Sequence, residues 1–335
     1  MTGSVEAKRR NKWLFIVIVL AAANASVLIL NIVLGEYPVP IVQALRTALG
    51  FGGDEYNYVV NILRLPRALV AFLVGCGLAL SGVILQAITR NPLASPGVIG
   101  LNAGAALAAV AIIVMIPSFP IAWLPFVAFG GSFAAAAVTY SISWRRGVSP
   151  IRLLLVGIGV SATAGALITY LLTIGKIHQV TSAVIWMTGS VYGRGWEHFW
   201  PLLPWLVVLF PAALLLARQL DVLQLGDHLA RGLGSRIELI RGLLLLISVG
   251  LAGAAVAMAG TVGFIGLMAP HISRQLVGAS NRRLLPVAAL MGGLIVMTAD
   301  LLGRTAFAPY EIPCGIITAI VGAPYMIYLL YRKRR

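Results

Sequence analysis

The chain has 335 residues, of which 60% are hydrophobic and 10% charged, with a net charge of +15 and a mean hydropathy of +0.95. A soluble domain carries about 25% charged residues, so these proportions exclude a water-covered globule and make lipid the solvent for much of the surface. The backbone must then pair with itself, in helices or a closed barrel. The apolar runs are rich in Leu, Ala, Val and Ile and about 20 residues long, which selects helices over the roughly 10-residue alternating strands of a barrel.

Lys8-Arg9-Arg10-Asn11-Lys12 opens the chain, and an apolar run follows from Trp13 to Leu34. That run exceeds the ~7–15-residue core of a signal peptide, so it reads as an uncleaved first span. Further spans are predicted near 66–87, 96–116, 122–143, 150–174, 198–218, 238–260, 263–277, 284–303 and 311–331, ten in all. The span at 263–277 is short and contains Pro270, so it needs shelter from neighbouring helices. The stretch 178–192 is too short and polar to cross and is expected as a small helix on the outer surface.

The charges sort by side. One side carries the Lys8–Lys12 cluster, Arg90, Arg145, Arg146, Arg152, Arg218, Arg231, Arg236, Arg241, Arg274, Arg282, Arg283 and the tail Arg332-Lys333-Arg334-Arg335. The other has Arg46, Arg64, Arg67, Lys176, Arg194 and Arg304, with Glu36, Asp54, Glu55, Glu197 and Glu311. Basic loops stay cytoplasmic, so both termini are expected inside and the charge does not imply a nucleic-acid partner.

Between the sixth and seventh spans lies the hydrophilic segment 221–238. Val222, Leu223, Leu225 and Leu229 are spaced for one face of a short helix, which Gly232 and Gly234 then break. Such a helix serves either as a membrane-surface connector or as a docking element for a soluble partner. Many of the 36 glycines fall inside spans, where small residues let helix backbones approach closely. Asp300 is the one acid well inside a predicted span. Ion-coupled transporters normally hold several such groups, so an ion-driven secondary transporter is disfavoured. No Ser/His or Asp/Asp pair at matched depth supports an intramembrane enzyme.

Cys76 and Cys314 lie in apolar stretches without metal-ligand spacing and read as packing residues. His271 follows Pro270 and reads as packing or capping, and His178, His198 and His228 are scattered. Trp186, Trp196, Trp200 and Trp205 fit an interfacial aromatic belt or an outer vestibule. No Gly-x-x-x-x-Gly-Lys-Ser/Thr loop is present, so this chain is not itself an ATPase of that type.

Several stretches together carry a resemblance. They are Leu63-Arg64-Leu65-Pro66-Arg67, Ser81-Gly82-Val83-Ile84-Leu85-Gln86, Arg90-Asn91-Pro92-Leu93-Ala94-Ser95-Pro96-Gly97, the run from Gly260 to His271, Asp300-Leu301-Leu302-Gly303-Arg304-Thr305, and Glu311 to Pro324. In this order and spacing, from about residue 35 to the C-terminus, the chain resembles the FecCD permeases, membrane subunits of type II ABC importers for siderophores, haem and vitamin B12. The resemblance implies an all-α fold like the vitamin B12 permease, with ten spans in inverted repeats and 1–335 as one transmembrane permease domain. It implies a second permease subunit, homo- or heterodimeric, two cytoplasmic ATPases that bind the ATP, and an extracytoplasmic binding protein. No cofactor or metal on this chain is expected. Iron–siderophore complexes are the first-choice cargo, with vitamin B12 and haem as alternatives.

The resemblance also implies roles for single residues. Arg64, Arg67 and Arg304 fall at binding-protein docking positions, where a planar guanidinium suits a carboxylate. The local alternative is headgroup anchoring for Arg64 and Arg67, and for Arg304 an ion pair with Asp300 at helical spacing. The segment about 221–237 matches the ATPase coupling element, with Gly226, Gly232 and Gly234 at its turns and Ala230 allowing close approach. Ser149 and Pro150 fall at the cytoplasmic gate, although Pro150 also suits the start of a helix.

Overall fold

The computed structural model describes residues 2–144 and 147–332, with backbone alone for residues 2–10 and 54. The side chains of Lys8, Arg9, Arg10 and Asp54, and all of Arg145, Arg146, Lys333, Arg334 and Arg335, lie outside the described residues. The fold is helical throughout, as the long apolar runs require. Its helices are α1 (Thr2–Val33), α2 (Ile41–Ala48), α3 (Leu65–Thr89), α4 (Leu101–Met115), α5 (Leu124–Ser143), α6 (Pro150–Ile174) and α7 (Ile177–Thr188). They continue with α8 (Trp196–Leu215), α9 (Ala217–Gln224), α10 (Asp227–Gly232), α11 (Ile237–Ala259), α12 (Ile265–Val277), α13 (Asn281–Thr305) and α14 (Cys314–Arg332).

Among the described residues, eight helices are long and apolar enough to cross a membrane. The other two expected spans fall on α4 and α12, which are 15 and 13 residues long. Ten is therefore approximate as a count of full crossings. Both short helices follow backbone broken by glycine or proline, at Pro92–Gly100 and Gly260–Phe264. Non-helical backbone at this depth is tolerated where protein covers it, and α12 is covered by α3 and α13. In the opposite direction, a π-helical stretch (Tyr58–Arg64) extends α3 to a 32-residue helical run.

Three helices form the core. The most apolar windows of α3, α11 and α13 are 89%, 83% and 72% buried, whereas those of α1, α6, α8 and α14 are 11%, 22%, 17% and 22% buried. Small residues make this possible. A Cβ on Gly75 would collide with the Gly292 backbone, and one on Gly292 with Gly75, where α3 crosses α13. Only backbone-to-backbone contact fits there.

The amide of Asn24 donates to Leu290 O of α13 (3.1 Å) and to its own helix at Leu20 O (2.7 Å). Asn31, two turns on, does the same with Met297 O (3.4 Å) and Val27 O (2.9 Å). Trp13 Nε1 donates to Arg283 O (3.1 Å). Thus α1 is stitched along α13. The end of the bundle where α1 begins is termed proximal below, and the end where it finishes distal.

Candidate functional site

At the distal end, three arginines converge on helix ends. Arg64 closes the π-helical stretch and is buried. Its Nη1 donates to Ile32 O (2.8 Å) and Val33 O (3.0 Å), and its Nη2 to Tyr37 O (2.7 Å). Arg304, also buried, donates through Nη2 to Asn31 O (2.7 Å) and Asn31 Oδ1 (3.2 Å). The last carbonyls of a helix lack partners within it and carry partial negative charge, and both cations cap the last turn of α1.

Arg67 lies one turn beyond Arg64 and meets acids from two other elements. Its Nε and Nη2 grip Asp300 (3.0 and 2.8 Å), and Nη2 reaches Glu311 Oε2 (2.9 Å). The guanidinium carbon stands 5.5 Å from the Tyr192 ring centroid. Asp300 is only 2% exposed, so its charge stays in place because Arg67 grips it with two nitrogens. The spacing-based pairing of Asp300 with Arg304 is thereby corrected. The residue four positions along the same helix points to α1, and the direct partner comes from α3.

Glu311 and Tyr192 also line a cavity of about 950 Å³ between the distal ends of α4 and α7 and the loops around Arg194 and Tyr310. Its walls are mostly apolar, with Ile113 and Trp186 among them, so Trp186 borders a vestibule. Burial lowers the pKa of Arg194 from its ordinary value, opposed by Glu197 nearby.

At the proximal end, the segment expected as one amphipathic helix is two. Gly226, with φ of 102°, separates α9 from α10, and Gly234, with φ of 76°, closes the turn after α10. Gly232 ends α10 with open space where its side chain would be. Ala230 is fully buried against the chain's own core. The apolar residues divide accordingly. Leu223 is buried, whereas Leu225, Leu229 and Leu233 are exposed beside Arg231 and Arg236.

Pro150 is the first residue of α6 and Ser149 its extended N-cap residue. Next to them lies a cluster that no sequence motif marks. Arg241, 1% exposed, donates through Nη1 to Val148 O and through Nη2 to Asp227 Oδ1 (2.9 Å). Glu238 Oε2 accepts the Val148 N–H (3.1 Å), and its Oε1 is 3.7 Å from Arg241. Arg90, just past α3, approaches Asp227 at 3.5 Å. The one signal available beforehand is the helical spacing of Glu238 and Arg241. Elsewhere at this end Asp221 Oδ1 accepts both N–H groups of Asn281, at 2.9 and 2.6 Å, which ties α9 to the start of α13.

Among the described residues no group of three or more His, Cys, Asp or Glu could hold a metal ion. Cys76 and Cys314 are free and buried, consistent with packing.

This bundle, with its two polar ends, has known counterparts. The chain is 41% identical to the Fe(3+)-citrate import system permease protein YfmE of Bacillus subtilis, over 98% of each chain. It is 40% identical to the iron(3+)-hydroxamate import system permease protein FhuG of the same organism, over 97% of this chain and 98% of that one. A solved structure described as an inward-facing metal-chelate-type ABC transporter superposes with a TM-score of 0.84 at 30% identity, covering 95% of this chain and 99% of that one. The model of the FecCD transport family matches residues 13–332, nearly the whole of the described fold, and the chain belongs to that family.

Proposed function

We propose that the chain is the membrane-spanning permease subunit of an ATP-binding-cassette importer that carries ferric siderophore-type chelates inward across the cytoplasmic membrane. The observation that carries this reading is near-full-length similarity to permeases named for ferric citrate and ferric hydroxamate import. The proximal end faces the cytoplasm, with both termini, as the excess of Lys and Arg in its loops requires. The iron arrives as cargo inside its chelate, and the chain needs no metal centre or cofactor of its own.

Two ATPase subunits bind and hydrolyse the ATP. They meet the permease at 221–237, where exposed Leu225, Leu229 and Leu233 beside Arg231 and Arg236 offer an apolar patch with a basic rim. Such a patch suits a soluble protein partner. A second permease subunit, identical or homologous, completes the pathway, and the exposed apolar faces of α6 and α14 are available to it and to lipid. The 147–150 loop closes that pathway on the cytoplasmic side. An extracytoplasmic binding protein docks on the distal end, whose surface Arg64, Arg67 and Arg304 hold in shape and where Glu311 stands nearest the solvent. The distal cavity then receives the chelate. Its mostly apolar lining fits a bulky ligand that is handed over rather than tightly held.

The test is uptake of radiolabelled iron, offered on a panel of siderophores, by cells lacking the gene and by the same cells complemented. The expected result is loss of one chelate class, restored by the gene and abolished when the partner ATPase is inactivated. Normal iron uptake throughout would redirect the substrate to haem or vitamin B12. Uptake independent of ATP would overturn the importer reading itself.

A further inference from the structure

The Arg241 cluster joins two segments that, among the described residues, no backbone hydrogen bond connects. Asp227 belongs to α10, a six-residue helix at the proximal end. Val148 belongs to the loop that leads into α6. A single guanidinium bonds both, one nitrogen to the Asp227 carboxylate and the other to the Val148 carbonyl. Glu238, from the same face of α11, takes the N–H of that same Val148 residue. Val148 is thus held through both its N–H and its C=O by two side chains of one helix.

We propose that Arg241 is a positioning residue that transmits displacement of α10 to the start of α6, with Glu238 holding the receiving residue in register. This rests on the reading of α10 as the ATPase contact. The guanidinium is planar and its two terminal nitrogens keep a fixed separation. A shift of Asp227 must therefore be followed by Val148 or must break a charge-assisted bond in a buried setting. The two sides of the link differ in freedom. Arg241 is fully buried on α11, a core helix, whereas only 22% of the apolar window of α6 is buried. A displacement delivered at Val148, two residues before Pro150, moves the start of a helix with far less buried packing than α11 to resist it.

Asp227 is the sensing group. Its Oδ1 lies between Arg241 on α11 and Arg90 beyond α3. With Oδ1 2.9 Å from Arg241 and 3.5 Å from Arg90, the carboxylate stays paired through a small displacement of α10.

The experiment measures spin-label distances in the assembled transporter, nucleotide-free and trapped with ATP and vanadate. Labels are placed at His228 on α10, Ile151 at the start of α6 and Arg282 on α13, all exposed and all outside the cluster. ATP is expected to change both the 228–282 and the 151–282 distances. In Asp227→Asn and in Glu238→Gln, the 228–282 change persists while the 151–282 change falls at least about twofold. A 151–282 change that stays undiminished in both variants, or is absent from the unsubstituted protein while 228–282 responds, overturns the link and leaves the ATPase contact standing. If the 228–282 distance ignores ATP, the contact reading fails instead. Because Asp227 and Glu238 are partly exposed, neither variant depends on tolerating a cavity in the core.

Discussion

The two ends of the bundle use arginine in opposite ways. At the distal end, Arg64 and Arg304 donate to carbonyls of α1, and Arg67 grips an acid that is 2% exposed. Each ties one spanning element to another. At the proximal end, Arg241 binds a six-residue helix and a loop, and its acids Asp227 and Glu238 are 25% and 33% exposed. The distal bonds tie spanning helices to one another, whereas the proximal bonds link a short helix to a loop. Transport by alternating access needs both, a fixed frame and parts that yield. The charge pattern alone does not say which end is the frame and which yields.

The largest expected effect lies in the distal pair. Asp300→Leu leaves the Arg67 guanidinium short of a buried partner and should destabilise the protein by roughly 3–5 kcal/mol. Low abundance and a lowered thermal midpoint in detergent would report this, and Arg67→Met with Asp300→Leu should recover most of it. An Asp300→Leu protein as stable as its parent would remove the distinction between the two ends.

Next is Arg64→Met, which forfeits three bonds to α1 and the Tyr37 carbonyl. A loss of about 2–3 kcal/mol is expected in the same melting assay. A glutamate at Arg64 or Arg304 would accordingly lower protein abundance and confuse any docking assay. Glu311→Gln is the sharper docking probe, since Glu311 is on the rim and the amide keeps an acceptor for Arg67. Normal abundance with weaker stimulation of ATP hydrolysis by the binding protein is expected there, and full stimulation would move docking elsewhere on this face.

The smallest effects on stability should come from the proximal end. Asp227→Asn removes the charge opposite buried Arg241 but keeps an amide oxygen as acceptor, and is expected to cost about 1–2 kcal/mol. Gly232→Trp points into open space and should leave the thermal midpoint unchanged while reducing copurification of the ATPase. A large melting shift in either variant would show that this end is part of the frame after all.

The long helices were legible because the apolar runs of α1, α5, α6, α8, α11, α13 and α14 match the width of a bilayer. The short α4 and α12 were legible only as apolar stretches, since shelter by other helices leaves no local mark. The π-helical extension before Leu65 escaped because Asn57, Tyr58 and Asn61 interrupt hydrophobicity without ending the helix. The hydrophilic segment 221–238 was read as one helix where the structure has two, because four apolar residues at suitable spacing outweighed Gly226. For the sites, spacing reveals neighbours along one helix and nothing across helices. Arg304 was therefore set against Asp300, and the partner 233 positions away, Arg67, was missed. Arg241 left no signal beyond one helical pair, because its loop partner offers only a carbonyl, which every residue possesses.

The paired amides of α1 carry a consequence for biogenesis. Asn24 and Asn31 each share one amide nitrogen between a carbonyl of α13 and the carbonyl four residues back in α1 itself. During synthesis α1 emerges more than two hundred residues before α13, and it must wait in lipid for that partner. The internal carbonyl gives each amide nitrogen an acceptor throughout the wait. The same two amides later become the seam that α13 closes, and no polar group has to be unmasked for the last third of the chain to find the first helix.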